Sequence, residues 1–98
     1  MKSVEKELSE RVKKYHALTE DALKKVSIRA EKGTRDFAIA EDFLSMANNY
    51  FSDARHFKKD GKLLLALAAF SYAHAWLDAG VRAKVLDGKN DNRLFTLP

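Results

Sequence analysis

The sequence predicts an all-α fold: an antiparallel three-helix bundle with a long N-terminal helix, a tight hairpin between the second and third helices, and a short C-terminal tail. Three observations predict it. Apolar residues recur at steps of three and four along most of the chain, the period of one helical face. A single proline and four glycines interrupt 98 residues, and two of those glycines, Gly33 and Gly61, fall where the periodicity breaks. The balance of 46 % apolar to 33 % charged residues is that of a globular chain. One domain over residues 1–98 is expected.

The first helix is expected over residues 3–32, from a stripe of Val4, Leu8, Val12, Tyr15, Leu18, Ala22 and Val26. Ser3 is a good N-cap, and Glu5 and Glu7 lie where the helix dipole favours negative charge. Lys24, Lys25, Arg29 and Lys32 gather toward the other end, and Gly33 closes it. Thr19, Glu20 and Asp21 mark a candidate kink.

The second helix is expected over residues 36–60, with Thr34 or Asp36 as its cap and Asp60-Gly61 as its stop. Its stripe holds Phe37, Ala40, Phe43, Leu44, Ala47, Tyr50, Phe51, Ala54 and Phe57. The third, over residues 62–86, is apolar most of the way round. Leu63, Ala66, Leu67, Phe70, Ala73, Leu77, Gly80 and Val81 share one face, and Leu65, Ala68, Tyr72, Trp76, Ala79 and Ala83 lie nearly opposite. Such a helix is buried on more than one side, and Gly80 with the many alanines lets neighbours approach closely. In the tail, residues 87–98, Asn90, Asp91 and Asn92 read as a turn, and Leu94 and Phe95 are expected to dock on the bundle.

The net charge of +4 does not by itself point to nucleic acid, because both signs are interspersed along the chain without a basic run. No cysteine is present, which excludes thiol nucleophiles and thiolate metal sites. Phosphate-loop, dinucleotide and HExxH motifs are missing as well. No catalytic residue, metal ligand set or cofactor is therefore assigned. The charged start and the short apolar stretches suggest a cytoplasmic protein without a membrane segment.

Three sets of residues remain as candidates. His74, Asp78 and Arg82, each one helical turn after the last with Ser71 beside them, form a polar strip on the third helix. It reads either as a small pocket, with Asp78 orienting His74 and Arg82 holding an anion, or as a structural network that orients the helix. Tyr72 and Trp76, one turn apart, read as an interaction surface or as rings covered by the first helix. Arg55, Lys58, Lys59 and Lys62 form the densest positive cluster, a candidate anion contact or cations complementing a helix C-terminus.

Gly61, Ala66, Phe70 and Ala73 have the spacing of the second half of a tetratricopeptide repeat, without the repetition an array requires. A longer stretch is more specific. Asp53, Phe57, Gly61, residues 66–74 (ALAAFSYAH) and residues 76–82 (WLDAGVR) resemble the signature of the archaeal domain-of-unknown-function family 357. Ala75 and Lys84 stand where glycine is expected in that family. The resemblance implies a small cytosolic protein of three main helices, and no activity. The leading expectation is a non-enzymatic interaction module whose partner is a protein, in the first place a second copy, using Tyr72 and Trp76. The alternative is an RNA- or nucleotide-associated protein using the basic end of the hairpin, followed by a ligand or catalytic pocket at His74, Asp78 and Arg82.

Overall fold

The computed structural model describes residues 3–98, so Met1 and Lys2, at the head of the expected domain, lie outside the described residues. The chain forms α1 (Val4–Lys25), β1 (Ser27–Ile28), α2 (Arg35–Lys59), α3 (Leu63–Arg82) and β2 (Leu86–Asp87). It is a three-helix bundle in which α2 and α3 make the most extensive contact.

Ser3 caps α1 by accepting from the Lys6 N–H at 3.1 Å, and Thr34 caps α2 by accepting from the Phe37 N–H at 3.2 Å. Helix α1 runs unbroken through Thr19, Glu20 and Asp21, because Thr19 is fully buried on its inner face. It ends seven residues before the expected boundary at 32. Val26 turns extended, and residues 27 and 28 pair antiparallel with residues 87 and 86; the Arg29 N–H continues the ladder to the Val85 carbonyl at 2.9 Å. The β-branched Val26 and Ile28 suit this extended path, which the helical stripe through Val26 conceals. At 25 residues α2, not α1, is the longest helix.

Helix α3 also ends early, at Arg82 rather than 86. The Val85 N–H bonds to the Gly80 carbonyl and the Lys84 N–H to the Val81 carbonyl, both at 3.1 Å, with Lys84 at φ 64°. That is a Schellman termination. It turns the chain so that Leu86 lies over Gly80, where an added Cβ would stand 2.3 Å from Leu86 Cδ1. The close approach expected at Gly80 is thus made by the next segment of the same chain.

Two apolar clusters fill the bundle. Near the hairpin end Val12, Phe51, Ala54, Ala66, Phe70 and Ala73 pack together, with Leu8 and Leu63 against them. At the other end Ala22, Ala40, Ala47, Leu77, Val81 and Leu86 pack with Leu94 and Phe95. Helices α1 and α3 therefore run parallel, with α2 antiparallel to both. By length and composition α3 is able to cross a bilayer; in this bundle its Ala66, Phe70, Ala73 and Leu77 are fully buried between α1 and α2. Leu94 and Phe95 are 4 % and 3 % exposed, so the tail docks as expected.

Candidate functional site

The polar strip on α3 is occupied by the chain's own C-terminal arm. His74 Nε2 bonds to the Leu94 carbonyl oxygen, and since a carbonyl only accepts, Nε2 carries the proton. Nδ1 then accepts from the Thr19 hydroxyl of α1 at 3.0 Å. One turn on, Asp78 accepts from the Thr96 N–H at 2.9 Å and from its hydroxyl at 3.4 Å. One turn further, Arg82 donates from Nη1 to the Leu97 carbonyl at 2.8 Å. The three heads bond to the arm rather than to one another, and Ser71 stays exposed beside them. Thr19 completes this constellation. Its sequence signal is faint: a polar residue next to the apolar stripe of α1.

The arm is pinned at its root. Asp91 accepts from the Arg93 and Leu94 N–H groups at 3.0 Å each and from Lys25 Nζ at 2.8 Å. The Lys25 ammonium and these two amides hold the Asp91 carboxyl below its ordinary value. Asp87 is held low by the Lys89 N–H and ammonium. Gly88 lies under the arm, and a Cβ there would meet the Phe95 ring at 2.9 Å.

Tyr72 and Trp76 meet edge-on at 6.0 Å between ring centroids but differ in exposure and in their α2 neighbours. Trp76 is packed edge-on against Phe43 at 5.1 Å between ring centroids, so α2 covers it rather than α1. Its indole N–H is buried and, among the described residues, has no hydrogen-bond partner. Tyr72 meets Tyr50 of α2 edge-on at 4.5 Å yet remains 47 % exposed. It borders a groove of about 430 Å³ whose wall includes Tyr50, Phe57, Leu65, Ala68 and Ala69, with Asp53 as its one charged residue. Leu64 and Leu65, 73 % and 51 % exposed, extend this apolar surface to the start of α3. Residues 63–77 carry no Asp, Glu, Lys or Arg, which is the sequence signal for an uncharged outer face.

The basic set is divided. Lys58 donates to His16 Nδ1 of α1 at 2.8 Å. Arg55 lies over the Phe51 ring, 5.2 Å from its centroid. Arg55 and Lys59 share a shallow recess with Ser52 and His56, while Lys62 lines a separate one with Glu5, Leu8 and Leu63. His16 itself stacks on Phe70 at 4.8 Å and meets Phe51 edge-on at 5.4 Å. Burial and the neighbouring Lys58 lower its pKa from the ordinary 6.5, against the opposing pull of Glu20. Among the described residues no group of three or more His, Asp or Glu is placed to hold a metal ion.

Fold and strip together define a small three-helix bundle whose third helix is clasped at one end by the chain's own terminus. The chain belongs to the family described as Protein of unknown function (DUF357), whose model matches residues 14–86. The match takes in α2 and α3 and stops at the first residue of β2, short of the arm. No curated protein and no solved structure gives a match.

Proposed function

We propose that the protein is a non-enzymatic helical interaction module that associates with a second copy of itself through the α2/α3 face around Tyr72. The observation that carries this reading is the open groove beside Tyr72, continuous with exposed Leu64 and Leu65 and nearly free of charge. Scattered apolar residues on a surface need no explanation, but a contiguous patch with aromatic walls marks places where partners dock. The α3 strip supports it from the other side. His74, Asp78 and Arg82 are each engaged by the arm, which leaves the Tyr72 face as the larger uncommitted surface.

The test is solution mass by light scattering over a range of concentrations, with Trp76 fluorescence recorded alongside. In chain that has not been unfolded and refolded, a dimer that dissociates on dilution is expected, reduced to a monomer by Leu65→Glu with helical content unchanged. A chain that stays monomeric at high concentration overturns the reading. Salt-sensitive RNA binding lost on reversing Arg55 and Lys59 would replace it with the nucleic-acid alternative.

A further inference from the structure

The C-terminal arm is held the way a groove holds a peptide. Three successive turns of α3 each offer one polar head, and these take the Leu94 carbonyl, the Thr96 N–H and the Leu97 carbonyl. Apart from the Thr96 hydroxyl, every one of these contacts is to main chain. Two neighbouring side chains, Leu94 and Phe95, fill the apolar floor. This is recognition of a bent terminal segment largely through its backbone, with apolar anchors setting the register; the bend is closed by the Phe95 N–H on the Asp91 carbonyl at 3.0 Å.

The arm's connection to the bundle is a four-residue turn, closed by the Asp91 N–H on the Gly88 carbonyl at 3.1 Å. Both central residues are left-handed, Lys89 at φ 56° and Asn90 at φ 58°. A turn of this kind prefers Asn-Gly or Gly-Gly, and lysine in its first central position is strained. Short strained hinges are the usual origin of segment exchange between identical chains. Opening the turn into extended backbone relieves both residues and carries Asp91, with the arm behind it, on the order of 10 Å from Gly88. The arm's contacts with α1 and α3 are all re-formed in the exchange, because each copy offers the same groove, and only the Asp91–Gly88 turn bond is given up.

We infer that the arm, residues 92–98, is an exchangeable ligand, and that the α1/α3 groove takes the same arm from a second copy through His74, Asp78 and Arg82. The result is a two-fold dimer held by reciprocal arms, with the Lys25–Asp91 ion pair also formed between chains. This surface is separate from the Tyr72 face, and the two associations are independent.

The chain has no cysteine, so a cross-link can be placed where Asp78 and Thr96 meet. Chains carrying Asp78→Cys alone and Thr96→Cys alone are mixed, unfolded, refolded together at high concentration and oxidised. A disulfide-linked pair of the two variants is expected on a denaturing gel. The double variant in one chain, refolded dilute, is the control that the two positions can bridge and the fold survives. Only uncross-linked monomers from the mixture, with the control bridged, overturn the inference. Unsubstituted chain refolded at high concentration gives an independent reading: a dimer that persists on dilution is expected, and a monomer at every concentration overturns it. Lys89→Gly, which relieves the turn, should lower the dimer share about fivefold. Leu65→Glu should leave it unchanged; a cross-linked pair that vanishes with Leu65→Glu would mean that the copies meet on the Tyr72 face and would overturn arm exchange while supporting that other association.

Discussion

The two ends of α3 carry the same kind of apolar surface and treat it in opposite ways. Toward its C-terminus, Leu77 and Val81 are covered by Leu86, Leu94 and Phe95, and the polar strip alongside is bonded to the arm. Toward its N-terminus, Leu64, Leu65 and Tyr72 stay open over the groove beside Tyr50 and Phe57. The difference lies in what the described chain lays over each end. At the hairpin end α2 passes into α3 through the short turn at Gly61, and that turn does not lie over Leu64 or Leu65. The other end has residues 88–98 beyond β2, enough to cross the bundle and return. At one end of α3 the described chain covers the apolar face itself, and at the other it leaves that face open to solvent.

The widest expected contrast comes from truncating one apolar side chain at each end. Phe95→Ala should cost about 3–4 kcal/mol, since the ring is buried in the cluster that holds Val81, Leu86 and Leu94, with Gly88 against it. Leu65→Ser should stay within about 0.5 kcal/mol in a dilute sample, because half the side chain is already in water. Chemical denaturation of both variants measures the difference. Equal losses would mean that the Leu65 face is packed in solution and that the two ends are alike.

Polar contacts sharpen the same contrast. His74→Ala removes one acceptor and one donor, leaving the fully buried Thr19 hydroxyl and the Leu94 carbonyl without partners. A buried group so stranded costs about 1–3 kcal/mol, so a loss of about 2 kcal/mol is expected. Adding Thr19→Val should recover part of it, because the stranded hydroxyl is then gone. Strict additivity of the two substitutions in denaturant titrations would show that the Thr19–His74 bond contributes nothing.

How far these ends are legible in the sequence depends on whether the partner has a side-chain signature. The stripe of α2 and the capping residues Ser3 and Thr34 are readable because cap and period are local. Leu94 and Phe95 stand out as apolar residues in a terminal tail. His74, Asp78 and Arg82 are readable as a strip, but their partners are mostly backbone groups of the arm, which any sequence supplies. The end of α1 falls earlier than its stripe implies because pairing with residues 86–87 is a long-range choice, and nothing in residues 26–32 breaks a helix on its own. Spacing groups Trp76 with Tyr72 and their rings do meet, but spacing cannot show that Phe43 of α2 packs on Trp76 while Tyr72 stays exposed.

A smaller effect compares the two helix terminations. Gly61 and Lys84 occupy equivalent places: the Lys62 N–H bonds to the Phe57 carbonyl at 2.8 Å as the Val85 N–H does to the Gly80 carbonyl, and both residues are left-handed. Glycine adopts that conformation freely, whereas lysine is strained there. Lys84→Gly should therefore stabilise the chain by about 0.5–1 kcal/mol, the relief of strain exceeding the added freedom of the unfolded state. A thermal midpoint higher by a few degrees is the expected reading. An unchanged or lower midpoint would mean that the lysine aliphatic chain contributes packing that offsets its backbone.

The last effect separates the two ends by pH. His16 stacks on Phe70 at the hairpin end, and its pKa is lowered by burial and by Lys58. Between that lowered value and the ordinary 6.5, the unfolded chain binds more protons than the folded one, so stability rises with pH there. The contribution is complete above 6.5 and declines as the solution is acidified below it. At the arm, Asp91 and Asp87 are held below their ordinary 3.8, so their contribution is lost only as pH falls through that more acidic range. Acidification from about 7 to about 5 should accordingly weaken the α1/α2 seam first, while the amides of Phe95 and Thr96 keep their protection from hydrogen exchange. His16→Phe, which keeps a ring against Phe70 and removes the titrating group, should flatten the decline over that interval. Loss of arm protection in that same interval, restored by His16→Phe, would instead tie the arm to His16 across the bundle and erase the distinction between the ends.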